Sequence, residues 1–253
     1  MSIFNTNVPN NPKVIVVSDV GQSVKYSLES EYEVYYVNGI SLFKDLIESL
    51  LVYDPIIVID FIDYTSLLTL LRFLYGFDDD LKKSKVRRDF LEKYNTYNND
   101  KPTTGTCDYP LNTRIIINIR EYNSVDLTTL DNLKLQQILR FICLLHGGSF
   151  IISKSPIAQL LKENDLLNPI YQDFLSIPQG WDSWDRIKIL SKSTYDSKGL
   201  LVDDNDMKTF LQVYTDFLTG DESIFKYLKV EIPIVSKPVY VPKTYDDLIR
   251  NII

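Results

Sequence analysis

The chain has 253 residues, a mass of 29.4 kDa, 45% hydrophobic and 24% charged residues, and a net charge of −7 with a pI near 4.8. That length suits one large domain, or one domain with an extension, and it carries enough apolar material for a real core. The composition excludes collagen-like, mucin-like and wholly disordered chains; no run of about 18 apolar residues reads as a membrane span, and the acid balance argues against broad, non-specific nucleic-acid binding.

Residues 1–12 are rich in Asn and Pro and read as a loose lead-in. They contain no basic region followed by an apolar stretch, so no secretory signal is expected. Lys13–Ser18 (KVIVVS) is a continuous apolar run, the pattern of a strand buried on both faces. Glu33–Val37 (EVYYV) predicts a second strand. Ser41 is a suitable N-cap for a helix carrying Leu42, Leu46, Ile47, Leu50 and Leu51 at helical spacing. Ile56–Ile59 predicts another buried strand, Tyr64–Tyr75 a helix, and Leu81–Tyr94 a charged, more exposed helix. Asp78, Asp79 and Asp80 read as its N-cap and first-turn charge. Lys82, Lys83, Lys85, Arg87 and Arg88 read as a solvated face, or as a surface for an acidic partner.

Asn95–Pro110 reads as a long surface loop. Arg114–Ile119 predicts a strand and Leu130–Leu145 a helix with a buried stripe of Leu135, Ile138, Leu139, Ile142 and Leu145, stopped by Gly147 and Gly148. Ser149–Ile152 predicts a strand, followed by a helical stretch over Pro156–Phe174 with a break at Pro169. Continuous apolar strands alternating with helices imply an open, largely parallel α/β sheet covered on both faces. After residue 176 the pattern changes to an aromatic, turn-rich segment around Trp181 and Trp184, then a helix over Asp206–Leu218 and a tail from Val230 with prolines at 233, 238 and 242. The expected organisation is a flexible lead-in over 1–12, an α/β domain over 13–176, a tryptophan-containing helical extension over 177–229 and an extended tail over 230–253.

Such a sheet binds ligands at the carboxyl ends of its strands, and a nucleotide site there needs a Gly-rich loop with a correctly spaced Lys and hydroxyl. Ser18–Ser27 (SDVGQSVKYS) offers one glycine, Gly21, with Lys25 and Ser27 at the wrong spacing. It reads as a degenerate phosphate loop. Guanine recognition by Asn-Lys-x-Asp would follow the RIIINI strand, where this chain has Arg120-Glu121-Tyr122-Asn123. No cofactor and no metal are therefore expected. Cys107 and Cys143 have no metal-ligand spacing and suggest a reducing compartment. The single histidine, His146, leaves almost no room for histidine-based catalysis and is expected to face the last carbonyls of its helix. Cys143 is expected in the core.

The least generic segment is Ile177–Leu190 (IPQGWDSWDRIKIL), which holds both tryptophans of the chain. Asp182 is placed to cap a helix starting at Ser183. Trp181, Asp182, Trp184 and Arg186 either anchor the extension or contact a partner. This segment resembles the Trp-Asp segment that follows the Ras-like domain of dynein light intermediate chains. Gln137–Ser153 (QILRFICLLHGGSFIIS) is similar to that family's Arg-Phe-Cys helix–strand unit, with His146 where a tyrosine commonly stands. Ile56–Asp60 with Tyr64–Arg72, the charged helix ending Arg88-Asp89-Phe90, and Asp203–Leu218 fall in the same order, so the resemblance spans about residues 13–220.

The resemblance implies a Ras-like fold and a non-catalytic subunit of the cytoplasmic, microtubule-associated dynein motor. Its partners would be the heavy-chain tail, other dynein subunits and cargo adaptors. This chain departs from the family pattern in lacking the phosphate loop of many members and most of the adaptor-binding tail, with 35 residues after Leu218. Tyr245–Ile253 (YDDLIRNII) reads as a short amphipathic remnant. Two other readings stay open: a nucleotide-binding switch using Gly21, Lys25 and Ser27, and a trafficking adaptor on the same fold unrelated to motors.

Overall fold

The computed structural model describes residues 11–18, 22–39, 43–98, 101–120, 130–164, 170–171, 175–192 and 201–229. Among these the elements run β1 (Lys13–Ser18), β2 (Ser23–Glu29), β3 (Tyr32–Asn38), α1 (Lys44–Leu51), β4 (Ile56–Asp60), α2 (Tyr64–Tyr75), α3 (Asp80–Tyr97), β5 (Ile115–Ile119), α4 (Leu130–His146), β6 (Ser149–Ile152), α5 (Ile157–Asn164), β7 (Ile170–Tyr171), β8 (Leu175–Ile177), α6 (Trp184–Lys192), α7 (Asp204–Leu218) and α8 (Ser223–Leu228). The strands form one sheet in the order β2-β3-β1-β4-β5-β6-β8-β7. Neighbours from β3 to β6 pair in parallel, while β2, β8 and β7 pair antiparallel with theirs. This is the Ras-like α/β arrangement that the sequence predicts.

The continuous apolar strands behave as two-faced elements. In β1, Ile15 and Val17 point into the larger core with α1 to α4 and α6 to α8, while Val14 and Val16 point to the opposite face. Asp79 caps α3 by accepting from the Lys82 amide at 3.1 Å, as the acidic run suggests. The basic residues of α3 are engaged locally: Lys82 Nζ donates to the Leu51 carbonyl, Lys83 meets Asp78, Lys85 meets Asp54, Arg87 meets Asp108 and Arg88 meets Asp89.

Four expectations change. Ser18–Ser27 is not a loop throughout, because Ser23–Glu29 forms the edge strand β2, joined to β3 by a turn with Ser30 at φ 57°. An edge strand with one solvated side has mixed exposure, which hides it from a search for apolar runs. The predicted helix over Pro156–Phe174 ends at Asn164, and the chain returns to the sheet as β7 and β8. The sheet thus runs through Ile177, and α6, α7 and α8 share the main core with α4. Finally, α1 starts at Lys44 with Phe43 at its N-cap and no side-chain cap bond. The proposed cap Ser41, Pro169 and the tail 230–253 lie outside the described residues, as does Gly21.

Candidate functional site

Two places were expected to carry function: the carboxyl ends of the parallel strands and the tryptophan segment. At the first, β1, β4 and β5 end at Ser18, Asp60 and Ile119, beside a cleft of about 350 Å³ that Phe61, Ile62, Arg120 and Leu135 also line. Both oxygens of Asp60 are used within the protein. Asn118 Nδ2 donates to Oδ1 at 2.9 Å and Arg120 Nε to Oδ2 at 2.8 Å. Asn118 Oδ1 in turn accepts from the Ser153 amide at 3.2 Å, which ties β5 to the end of β6. The carboxylate at this position therefore neutralises a guanidinium.

Lys25 and Ser27 do not reach the cleft. They stand on β2 opposite Tyr36 and Val34, and β3 separates them from β1. Ser23 pairs with Asn38 at the carboxyl end of β3, so Ser27 lies four residues, or about 13 Å, back along the edge. Their spacing already failed the phosphate-loop pattern, and the hairpin carries them away from the strand ends. Among the described residues, no group of three His, Cys, Asp or Glu side chains is placed to hold a metal ion.

The second place is more densely built. Pro178–Trp181 is a tight turn closed by the Trp181 amide on the Pro178 carbonyl at 3.2 Å, with Gly180 at φ 80°. A Cβ on Gly180 would stand 2.7 Å from the Tyr94 amide nitrogen, so the turn lies directly on the α3 backbone. Gln179 accepts from Lys93 Nζ at 3.1 Å and donates to the Gly147 carbonyl at 2.8 Å, joining α3 to the turn after α4. Asp182 does not cap the helix that follows. Ser183 Oγ accepts from the Arg186 amide at 3.4 Å, and α6 begins at Trp184.

Asp182 is instead taken by Arg140 of α4. Arg140 Nε reaches Oδ2 at 2.8 Å and Nη2 reaches Oδ1 at 2.6 Å, with both side chains at most 9% exposed. This bidentate fork suits guanidinium and carboxylate, and neither charge has water as an alternative. Beside it Trp184, 6% exposed, packs against Phe141 with ring centroids 5.5 Å apart and donates Nε1–H to Asp204 Oδ1 at 2.8 Å. Trp184 therefore joins α4 to α7. Trp181 is partly exposed, and the Arg186 guanidinium lies 4.2 Å from its ring centre while donating to the carbonyls of Trp181 and Tyr97.

The inventory drawn from sequence lacked Arg140 as a partner, Gln137 and Asp204. Gln137 is fully buried, accepting from the Leu201 amide at 2.8 Å and donating to the carbonyls of Ile187 and Leu201. The available signal was Gln137 and Arg140 standing among the apolar residues of α4, where a solvated polar side is not expected.

His146 also departs from its expected role. The last carbonyls of α4 are satisfied by backbone, with Cys107, Tyr109 and Gly148 amides donating to Leu144, Leu145 and Cys143. The fully buried imidazole donates Nδ1–H to the Tyr109 carbonyl at 2.5 Å and accepts from the Tyr214 hydroxyl at 2.6 Å. Burial lowers its pKa to about 4, the Tyr109 bond opposing the shift. Between pH 6.5 and 4 the unfolded chain takes a proton that the folded chain refuses, so stability falls as pH drops through that window. The loss is about 3 kcal/mol. Urea unfolding of the parent and of His146→Gln at intervals from pH 7 to 4 is expected to show the steeper acid loss in the parent; parallel profiles contradict this. Burial likewise raises the thiol pKa of Cys107, to about 12, and that of Cys143, whose Sγ donates to the Ser149 carbonyl. Both are inert core groups.

No protein-family model matches the sequence, and no curated protein matches it. Among solved structures, it is similar to the crystal structure of the dynein light intermediate chain's conserved domain, with a TM-score of 0.56 and 16% identity over 88% of this chain and 99% of that chain. The chain has the fold of that domain. At this identity the likeness speaks to architecture.

Proposed function

We propose that this chain is a non-catalytic subunit of the cytoplasmic dynein motor, similar to a light intermediate chain, which binds the heavy-chain tail through its folded surface. The observation that carries this reading is the Arg140–Asp182 bridge. Arg140 belongs to the Arg-Phe-Cys unit and Asp182 to the Trp-Asp segment, the two stretches in which the sequence most specifically resembles that family. They are 42 residues apart and form one buried contact in a fold shared with the dynein domain.

A supporting role, rather than catalysis, agrees with the strand ends, where Asp60 is committed to Arg120 and Asn118. In this reading the protein stabilises the motor for microtubule-based transport, with other dynein subunits and cargo adaptors as further partners. No helix among the described residues is long and apolar enough to cross a membrane. The test mixes the purified full chain with a purified heavy-chain tail and follows them by sedimentation velocity. A single faster boundary containing both is expected; two independent boundaries at micromolar concentration contradict the proposal.

A further inference from the structure

The two faces of the sheet are unequally furnished. Seven helices, α1 to α4 and α6 to α8, contribute to the core on the face that carries Ile15 and Val17. On the other face Val14, Val16, Val34 and Val58 are at most 2% exposed, ringed by Tyr32, Tyr36 and Ile56. Among the described residues the helix packed on this face is α5, through Ile157, Leu160 and Leu161. Its 8 residues make a rod about 12 Å long and 10 Å wide.

Because α5 contacts β8, it sits towards the β6–β8 end of the sheet. Val14 on β1 and Val34 on β3 are three and four strands from β6, about 14 and 19 Å away. That exceeds the width of α5. A parallel α/β sheet ordinarily covers such residues with a crossover helix after the first strand. Here only residues 19–22 separate β1 from β2, too few to form one. The buried valines therefore need apolar cover from another segment or another molecule.

We propose that the segment Tyr245–Ile253 docks in cis on this valine face as a short amphipathic helix, in the position the absent crossover helix would occupy. Leu248, Ile249, Ile252 and Ile253 follow an i, i+1, i+4, i+5 spacing, which puts them on one side of a helix. Asp246, Asp247, Arg250 and Asn251 fall elsewhere on the wheel. Residues 230–244 form the tether from α8, and 15 residues reach up to about 50 Å. The whole eight-stranded sheet is about 34 Å across, so the tether can round its edge.

Cysteine pairs in the full chain test the proposal, since the native Cys107 and Cys143 are buried. Tyr36 faces this side of the sheet and Leu28, on β2, the other. Under mild oxidation at low micromolar protein, Y36C/I252C is expected to form an intramolecular disulfide and L28C/I252C is not. A full-length L248D/I252D variant, read by hydrogen exchange, is expected to lose at least tenfold protection in peptides covering β1 and β3 and to keep that of α4. Absence of the Y36C/I252C bond, equal bonding by both pairs, or unchanged exchange in the aspartate variant overturns the proposal. A disulfide found only between chains assigns the face to a second copy and overturns it as well. So does loss of β1 and β3 protection on deleting residues 1–10 with no loss in the aspartate variant, which assigns the cover to the lead-in.

Discussion

Asp182→Ala is expected to lower the unfolding free energy by about 3–5 kcal/mol. The carboxylate and Arg140 are both almost wholly buried and matched by two short bonds. Removing the carboxylate leaves a guanidinium that can neither lose its proton at any working pH nor reach water. The cost is therefore that of a buried charge deprived of its counter-charge rather than that of one hydrogen bond. Replacing both partners together, as Arg140→Met with Asp182→Leu, removes both charges and is expected to fall well short of the single-variant loss. Urea unfolding at pH 7 measures all three proteins. A loss below 1 kcal/mol for Asp182→Ala contradicts the buried geometry.

Trp184→Ala is expected to cost a similar amount, about 3–5 kcal/mol. The indole fills space between α4 and α7 against Phe141, and its N–H satisfies Asp204. Truncation to a methyl leaves a cavity and strips a partner from Asp204. Trp184→Phe retains most of the volume and loses mainly the hydrogen bond, so a cost of about 1–2 kcal/mol is expected. Trp181→Ala supplies the contrast: that ring is partly exposed, packs at the margin of the core and lies under Arg186, so its loss is expected to cost less than Trp184→Ala. Equal costs for Trp181→Ala and Trp184→Ala contradict this division of the motif into a buried anchor and a surface ring.

The elements buried on both faces were legible from sequence, because β1, β4, β5 and β6 have no polar side and are built on runs of three or more apolar residues. Helices α2 and α4 were legible from their periodicity. What escaped lies at the margins of the sheet. The edge strand β2 mixes exposed and half-buried positions without a clean period, so Lys25 and Ser27 looked like loop residues. The short strands β7 and β8 have too few residues for any period to show.

The tryptophan segment stood out by composition, but its chemistry depended on a residue 42 positions earlier in the chain. Nothing local in the sequence pairs Asp182 with Arg140. The rule that Asp favours an N-cap pointed to the wrong use of its carboxylate, because a buried bidentate pairing with a guanidinium outweighs one capping bond. His146 was misjudged for a related reason. Its helix carbonyls are met by the 107–109 backbone, which a local reading of α4 cannot foresee.

The most direct measurement is affinity purification of the tagged full chain from cells that express it, with quantitative mass spectrometry of the recovered proteins. The account predicts a dynein heavy chain in near-stoichiometric amount, reduced when Asp182→Ala unfolds the bait. Recovery of the folded protein with no heavy chain, or with a coat or tether complex in its place, contradicts the motor-subunit reading and leaves the Ras-like fold in the service of a different partner.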